Sequence, residues 1–300
     1  MTPRARQEAI EGYLGILPWL LGLIFFTAGP MVASAVLSLT NWDIVRAPVW
    51  IGLGNYVELF TADPLFWTSL RVTLTYVVFA VPLQIAFGVA LALLLNMQLR
   101  GMHLFRTLFY IPAVLSGVAI ALMFMWVLQP DYGAVNSALA LVGIEGPGWF
   151  WDPAWALPSI VLMSLWRAGA TGGVIYLAGL QNISPHLYEA ARVDGASAWH
   201  RFWRITLPLL TPTIFFQLVV GLIDAFRVFA EVYVITQGGP LQATFFYMLY
   251  LFRVGFQDFH MGYASALAWV LILITALVGV ITFKTSDRWV YYEAADEPGR

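Results

Sequence analysis

The chain has 300 residues, of which 60% are hydrophobic and only 11% are charged, and its mean hydropathy is +0.77. This composition excludes a soluble domain and indicates an integral membrane protein that forms one bundle. A formal net charge of −2 does not favour binding to nucleic acid, and the absence of cysteine excludes disulfides, thiolate metal sites and a cysteine nucleophile.

Apolar stretches of about 20 residues, the length that crosses a bilayer, occur six times and predict six transmembrane helices. In chain order they cover about Leu14–Leu39, Leu70–Asn96, Phe105–Leu128, Trp155–Leu180, Leu210–Thr236 and Tyr263–Phe283. The loops over 40–69 and 129–153 are predicted to be external, with their aromatic residues near the lipid headgroups. A cleaved signal peptide is the alternative for the first stretch, because Ala33-Ser34-Ala35 resembles a cleavage site, but the stretch exceeds the usual apolar region of such a peptide.

Arginine and lysine are distributed unequally between the two sides of the predicted bundle. Six spans place both termini on the same side as the loop 181–209, and that side carries ten positive charges against three on the other. The ten are Arg4, Arg6, Arg100, Arg106, Arg192, Arg201, Arg204, Lys284, Arg288 and Arg300, and the three are Arg46, Arg71 and Arg253. Because cytoplasmic loops concentrate Lys and Arg, both termini and this loop are predicted to be cytoplasmic, in the cytoplasmic (inner) membrane.

A polar stretch over 181–212 separates the fourth and fifth spans and predicts two short helices. The first covers about Pro185–Asp194, with proline at the position where its missing N–H is harmless. Gly195 follows where a left-handed residue is expected, Ser197 can cap the second helix, and Pro208 is predicted to end it.

The second short helix is predicted to be basic and amphipathic. Its aromatic and apolar residues Trp199, Phe202, Trp203 and Ile205 alternate with His200, Arg201 and Arg204. Such a pattern suits a helix at a membrane interface. An ordinary surface hairpin is the alternative interpretation of the whole stretch.

The same stretch carries a longer motif. Glu189-Ala190-Ala191 is followed by Gly195 and, after nine further residues, by Ile205, Leu207 and Pro208. This register resembles the EAA motif of membrane subunits of binding-protein-dependent ABC importers. The resemblance implies an all-α integral membrane protein with six transmembrane helices, the MetI-like fold of type I importer permeases, and a cytoplasmic coupling helix in a groove of an ATPase subunit. It assigns the contact with the ATPase to Glu189, Ala190, Ala191, Asp194, Gly195, Ile205, Leu207 and Pro208.

Further motifs are similar to those of the carbohydrate branch of this family, closest to the larger maltose-permease-type subunit. They are Asn41-Trp42-Asp43, Gly52-Leu53-Gly54-Asn55-Tyr56, Ala178-Gly179-Leu180-Gln181, Thr236-Gln237-Gly238-Gly239-Pro240 and Gly262-Tyr263-Ala264-Ser265-Ala266-Leu267. The resemblance implies a sugar substrate, delivered by an extracytoplasmic binding protein, and glycerol phosphate stays open as an alternative. It also implies a second six-helix permease subunit and a dimer of ATP-binding subunits as partners. Three regions are expected. Residues 1–69 hold the N-terminus, the first helix and an external loop, residues 70–284 form the permease core, and residues 285–300 form a cytoplasmic tail.

ATP hydrolysis is assigned to another chain. A phosphate-binding loop needs glycines followed by Gly-Lys-Ser/Thr, and the only lysine here, Lys284, follows Phe283. ATP and Mg²⁺ are therefore expected on the partner ATPase, and this chain is expected to hold no cofactor or metal.

An ion-coupled carrier and a membrane enzyme are the alternatives from other classes. A carrier would need internal repeats, and none is evident, although Asp224 and Glu231 could act as proton sites. The enzyme motifs H-E-x-x-H and G-x-S-x-G are absent from the sequence. The four histidines, His103, His186, His200 and His260, lie on separate loops.

Polar residues inside the predicted spans mark the candidate substrate path. A charge that faces lipid at the midplane costs roughly 2.5 to 3.5 kcal/mol, so such residues are expected to face the bundle interior. Gln84, Arg167 and Asp224 fall within about one turn of the midplane on the second, fourth and fifth spans.

Two further charges follow on the fifth span. Asp224 and Arg227 are three residues apart, Arg227 and Glu231 four, and Asp224 and Glu231 seven. In a continuous helix these intervals would place all three on one face, where Arg227 could pair with either acid. Phe229 and Tyr233 would add aromatic faces suited to a sugar. An ion-pair network that only closes the bundle is the alternative role for these charges.

Overall fold

Helices form nearly all of the regular structure in the computed structural model, which describes residues 3–97 and 99–291. In chain order the α-helices are α1 Pro3–Leu23, α2 Gly29–Leu37, α3 Gly54–Thr61, α4 Pro64–Leu95, α5 Met102–Val114, α6 Gly117–Val127, α7 Ala134–Leu141, α8 Ala156–Gln181, α9 Pro185–Val193, α10 Ala198–Arg201, α11 Leu207–Phe226, α12 Ala230–Ile235, α13 Tyr247–Phe252 and α14 Met261–Ser286. Single π-helical turns lie at Ile24–Ala28, Phe202–Thr206 and Arg253–Gln257, and a 3₁₀ turn lies at Trp149–Trp151. Residues 292–300 of the predicted tail, including Arg300, lie outside the described residues.

The predicted all-α fold is confirmed. Among the described residues the only sheet is an antiparallel pair of short strands, β1 Thr40–Asn41 and β2 Val49–Trp50. In the same part of the chain, four helical stretches are by themselves long and apolar enough to cross a membrane. They are Ile10–Leu37, Pro64–Leu95, Ala156–Gln181 and Met261–Ser286, which correspond to the first, second, fourth and sixth predicted spans.

The third predicted span is not one continuous helix. Helices α5 and α6 meet at an angle of 105°, and as a bent pair they form a fifth candidate span. Leu115 and Ser116 between them have extended backbones, and the Ser116 hydroxyl accepts from the Ala119 N–H at 3.2 Å. Pro112 also removes one backbone donor near the end of α5. The prediction of an uninterrupted helix was wrong because a helix ends and a newly capped one begins within the apolar stretch.

The fifth predicted span is also interrupted. Helix α11 ends at Phe226, and α12 begins only at Ala230. The Arg227 N–H still bonds to the Asp224 carbonyl at 3.0 Å, but Phe229, with φ −144° and ψ −61°, is not helical. The prediction of one helix through this region was wrong, and the sequence contains no glycine or proline there that would signal the break.

Within the described residues, the first of two compact units comprises the chain up to residue 63 and residues 251–272. Asn55 donates its side-chain amide to the carbonyls of Ser38 and Thr40 at 2.8 and 2.9 Å. The Gly262 N–H donates to the Trp42 carbonyl at 3.2 Å, and a side chain at Gly262 would collide with the Thr40 carbonyl. Three of the motifs singled out in the sequence therefore meet at one place, where they hold the chain beyond the first span.

The second unit comprises residues 64–250 and 273–291, and its core forms where α4 packs along α8. Gly88 on α4 faces the ring of Tyr176 on α8, and that tyrosine is only 1% exposed. A Cβ atom at Gly88 would lie 2.7 Å from Tyr176 Cε2. On α8, Gly169 and Gly173 likewise face side chains of α4. Small residues thus allow the two helices to approach closely, as is common inside membranes.

Gly88→Val is expected to destabilise the second unit by about 1 to 3 kcal/mol, the usual cost of overpacking a filled interior. The Tyr176 ring, which is only 1% exposed, would have to leave its packed position to admit the new side chain. The free energy of unfolding in mixed detergent micelles measures the effect. Gly279→Val is the matched control, because a Cβ atom at this helical glycine meets nothing within 4 Å. Equal losses in the two variants would contradict this packing.

Candidate functional site

A cavity of about 800 Å³ lies inside the second unit. Its wall is built from α4, α5, α6, α8, α11, α12 and α13, and from the break between α11 and α12. Six of the predicted path residues line it: Gln84, Arg167, Asp224, Arg227, Phe229 and Glu231. This volume falls within the range of about 300 to 1,000 Å³ that is typical of small-molecule sites.

Tyr233 is the predicted path residue that does not line the cavity. Its ring stacks on that of Phe229, with the ring centroids 5.4 Å apart and the planes at 28°. Phe229 itself does line the cavity. Tyr233 therefore contacts a residue of the cavity wall without being part of the wall.

An ion pair joins two elements of the cavity wall. Arg167 Nη1 on α8 lies 2.6 Å from Glu231 Oε1 on α12. The Glu231 carboxylate also adjoins Gly117 in the first turn of α6, a helix end that favours negative charge. The prediction that Arg227 pairs with an acid of its own span was wrong, because the helix break removes the common face that a continuous helix would give them.

Asp224 and Arg227 have a different environment from this ion pair. Both side chains are exposed and line the cavity, and in the part of the chain that the structure describes neither forms an ion pair. The bundle-closing alternative therefore fits Arg167 and Glu231, whereas Asp224 and Arg227 remain accessible to a ligand. Among the described residues, no group of three or more histidine or carboxylate side chains is arranged to hold a metal ion.

Sequence reasoning missed five polar residues of the cavity wall: Tyr76, Ser164, Thr171, Tyr176 and Gln217. The Gln84 side chain donates to Ser164 Oγ at 3.0 Å, and Ser164 in turn donates to the Val161 carbonyl at 2.7 Å. Gln217 could have been found by the criterion that found Gln84, an amide inside an apolar stretch. Serine, threonine and tyrosine are common in such helices and gave no comparable signal.

Residues 181–209, here termed the coupling segment, contain the predicted tight turn. Helix α9 ends in a Schellman motif, in which the Ala196 N–H bonds to the Ala191 carbonyl at 2.8 Å. Gly195 has φ +75°, a conformation that a side chain disfavours. The Ser197 hydroxyl accepts a backbone N–H of the next helix at 3.2 Å and so caps it as predicted.

The second helix of the coupling segment does not end at Pro208. Helix α10, the π-turn and α11 follow one another without a gap, so one helix runs over 198–226. The Leu207 N–H bonds to the Phe202 carbonyl five residues back. Pro208 comes directly after this wider turn, at the start of α11, where proline is tolerated. The predicted stop was wrong for that reason.

The predicted coupling residues divide into an exposed and a partly buried group. Glu189, Ala190, Asp194 and Gly195 are exposed, and Ala191, Ile205, Leu207 and Pro208 are half-buried. Ile205 and Tyr188 pack against the core cluster that includes Tyr176 and Leu210. The Tyr188 hydroxyl also hydrogen-bonds to the Thr206 hydroxyl at 3.0 Å. One edge of the segment is thus anchored on the core of the second unit, and the other edge is free to contact a partner.

Residues 84–285, which hold the coupling segment and most of the cavity wall, match the model of a family described as binding-protein-dependent transport system inner membrane component. The chain belongs to this family. It is 46% identical over 296 residues to the probable ABC transporter permease protein YesP of Bacillus subtilis (strain 168), covering 97% of this chain and 95% of the relative. It is 35% identical over 284 residues to the lactose transport system permease protein LacF of Rhizobium radiobacter, covering 93% of this chain and 94% of the relative.

A solved structure supports the same assignment at the level of the fold. A chain of a bacterial ABC transporter involved in the import of the acidic polysaccharide alginate matches with a TM-score of 0.83 and 26% identity. The match covers 95% of this permease and 98% of that chain. The predicted family and the importer-permease fold are therefore confirmed, and the chain is an inner membrane transport component rather than an enzyme.

Arg167→Gln and Glu231→Gln each leave one charge of the ion pair without its partner. The double variant is expected to be more stable than the sum of the single effects implies, with a coupling energy of about 0.5 to 3 kcal/mol. A double-mutant cycle on the free energy of unfolding of the purified permease measures this energy. As a control, Asp224→Asn combined with Arg167→Gln should be nearly additive. Strict additivity for Arg167 and Glu231 would refute a stabilising pair.

Proposed function

We propose that this chain is a permease subunit of an ATP-driven importer and forms half of the translocation path for a mono-, di- or oligosaccharide. An extracytoplasmic binding protein delivers the sugar, and a second six-helix permease subunit supplies the other half of the path. The observation that carries the proposal is the cavity, whose accessible wall combines charged, amide and aromatic groups. The 35% identity to a lactose permease over most of both chains supports a sugar as the substrate.

The side chains of the cavity wall suit the chemistry of a sugar. Hydroxyl groups both donate and accept hydrogen bonds, and charged partners strengthen these bonds. Asp224 can accept from a hydroxyl, while Arg227 and Gln84 can donate to one. Phe229 offers a ring on which the apolar face of a pyranose can pack. Since Arg167 is already paired with Glu231, recognition is assigned chiefly to these four residues.

The coupling segment provides the contact with the energy source. Its exposed edge, with Glu189, Ala190 and Asp194, docks on a dimer of ATP-binding subunits that hold ATP and Mg²⁺. Its anchored edge leads into the helix over 198–226, which carries Asp224 at the cavity. Movement of the ATPase can therefore reach the cavity wall through one helix. Both termini and the coupling segment face the cytoplasm, as the ten-to-three distribution of positive charges favours.

Neutral variants of the two accessible charges test the sugar path. Asp224→Asn and Arg227→Gln are expected to lower sugar transport at least tenfold, because each loss of a charge-assisted hydrogen bond removes about 1.5 kcal/mol or more. Assembly and basal ATP hydrolysis should persist, because neither residue forms an ion pair among the described residues. Transport into proteoliposomes, measured beside basal hydrolysis, is the readout. Asp258→Asn, an exposed acid outside the cavity, is the control. Wild-type transport by both variants would refute this assignment.

Variants of the coupling segment test the contact with the ATPase. Glu189→Ala removes an exposed charge, and Gly195→Val places a branched side chain at positive φ, at a cost on the order of 1 kcal/mol or more. Both are expected to abolish the stimulation of ATP hydrolysis by the sugar-loaded binding protein without preventing membrane insertion. Gly101→Val is the matched control for backbone strain, since Gly101 has φ +83° and open space around it. Undiminished stimulation in both test variants would rule out this segment as the coupling element.

A further inference from the structure

Three aromatic rings cluster on the helix that leads from the coupling segment into the fifth span. The Trp199 and Trp203 rings lie 5.5 Å apart at 68°, and the Phe202 and Trp203 rings lie 5.3 Å apart at 79°. Trp199 is 72% exposed and Trp203 is 48% exposed, so the cluster does not serve to fill the core of the permease. An exposed group of large aromatic side chains marks a surface that is covered by a partner.

The position of the cluster along the helix indicates what covers it. The sequence over 205–223 carries no charge, and the helix is continuous over 198–226, so the hydrocarbon core begins near Ile205. At about 1.5 Å per residue, Trp203 lies about 3 Å and Trp199 about 9 Å outside that point. The headgroup layer is roughly 5 to 8 Å deep on each side of a bilayer. Trp203 therefore lies within this layer, and Trp199 lies at its outer boundary.

Basic side chains accompany the aromatic rings. Arg204 directly follows Trp203, is exposed, and makes no ion pair within the described residues. His200 is also exposed. Arg201 is already engaged, because its guanidinium donates to the Ala196 carbonyl at 2.6 Å. Tryptophan is enriched at headgroup depth, and arginine binds phosphate through paired N–H groups, so this surface combines both properties.

We propose that Trp199, Trp203 and Arg204 form an anchor for anionic phospholipid headgroups. The indole rings lie among the headgroups, and the Arg204 guanidinium binds the phosphate of an anionic lipid. The anchor fixes the height of the coupling segment above the hydrocarbon core, so that Glu189 is presented to the ATPase at a constant distance from the membrane. This interaction is independent of which solute is carried, and its test does not use transport or ATP hydrolysis as a readout.

The absence of cysteine allows one probe to be placed at the anchor. The His200→Cys variant is assembled into the full transporter, labelled with a fluorophore and reconstituted into nanodiscs. The fluorescence of a complex treated in the same way but without this cysteine is subtracted as background. Quenching by lipids that carry a nitroxide near the headgroup is compared with quenching by iodide in water. Val45→Cys is the control for a water-exposed position, since Val45 is 89% exposed on the loop after the first span.

The anchor predicts stronger quenching by the lipid nitroxide than by iodide at position 200, and the reverse at position 45. Stronger quenching by iodide at position 200 would refute the anchor, because the surface would then face water. Protection from both quenchers would also refute it, because the ATPase or another protein would then cover the surface.

The charge of the lipid tests the role of Arg204. Nitroxide-labelled phosphatidylglycerol should quench more strongly than labelled phosphatidylcholine, by up to about fivefold for one arginine at the surface. This difference should vanish in Arg204→Gln and persist in Arg46→Gln, which removes the same charge from the loop after the first span. Equal quenching by the two lipids with Arg204 intact would overturn the preference for anionic headgroups.

Discussion

The hydrogen-bonding requirement of the backbone governs this fold, because the hydrocarbon core offers no water to an unpaired N–H or carbonyl group. Continuous helices satisfy it, and two of the predicted spans depart from them in the part of the chain that the structure describes. After α11, residues Arg227 and Phe229 line the cavity. Between α5 and α6, the Ser116 hydroxyl takes over one of the freed donors, and Gly117 adjoins the Glu231 carboxylate. Both breaks thus lie beside the cavity, whose wall includes Ala113 and Ile120 on either side of the first break and Arg227 and Phe229 at the second.

The ion pair between Arg167 and Glu231 follows from the same constraint. A short helix such as α12, with only 6 residues, has few internal bonds of its own and depends on contacts to its neighbours for its position. Glu231 supplies such a contact by binding Arg167 on α8 while lying against the start of α6. This arrangement leaves the neighbouring Asp224 and Arg227 available to solvent in the cavity. The paired Glu231 and the accessible Asp224 and Arg227 thus lie within eight residues of chain.

Features encoded by neighbouring residues were predictable from the sequence. Gly195 predicted the left-handed turn and Ser197 predicted the helix cap. Both features depend only on backbone geometry and hydrogen bonds among residues a few positions apart. The cost of a charge that faces lipid predicted the four charged residues of the cavity wall, Arg167, Asp224, Arg227 and Glu231. The break at Arg227 was not predictable, because contacts of α12 with α6 and α8 determine it and these are distant in the sequence. For the same reason the partner of Glu231 was assigned incorrectly.

The single π-turn at Phe202–Thr206 has a consequence for how the sequence can change. Such a turn accommodates one residue more than an α-helix would, so deleting any one residue within it would let the helix close into regular geometry. Each residue of an α-helix turns the chain by about 100° about the helix axis. A deletion in the α-helical part between the π-turn and Asp224 would therefore rotate everything before it relative to Asp224 and shorten the connection by about 1.5 Å. The connection between Glu189 and the cavity therefore fixes the rotation about the helix axis as well as the distance along it. Substitutions and one deletion within the π-turn are compatible with this connection, whereas other insertions and deletions are not unless they come in whole turns.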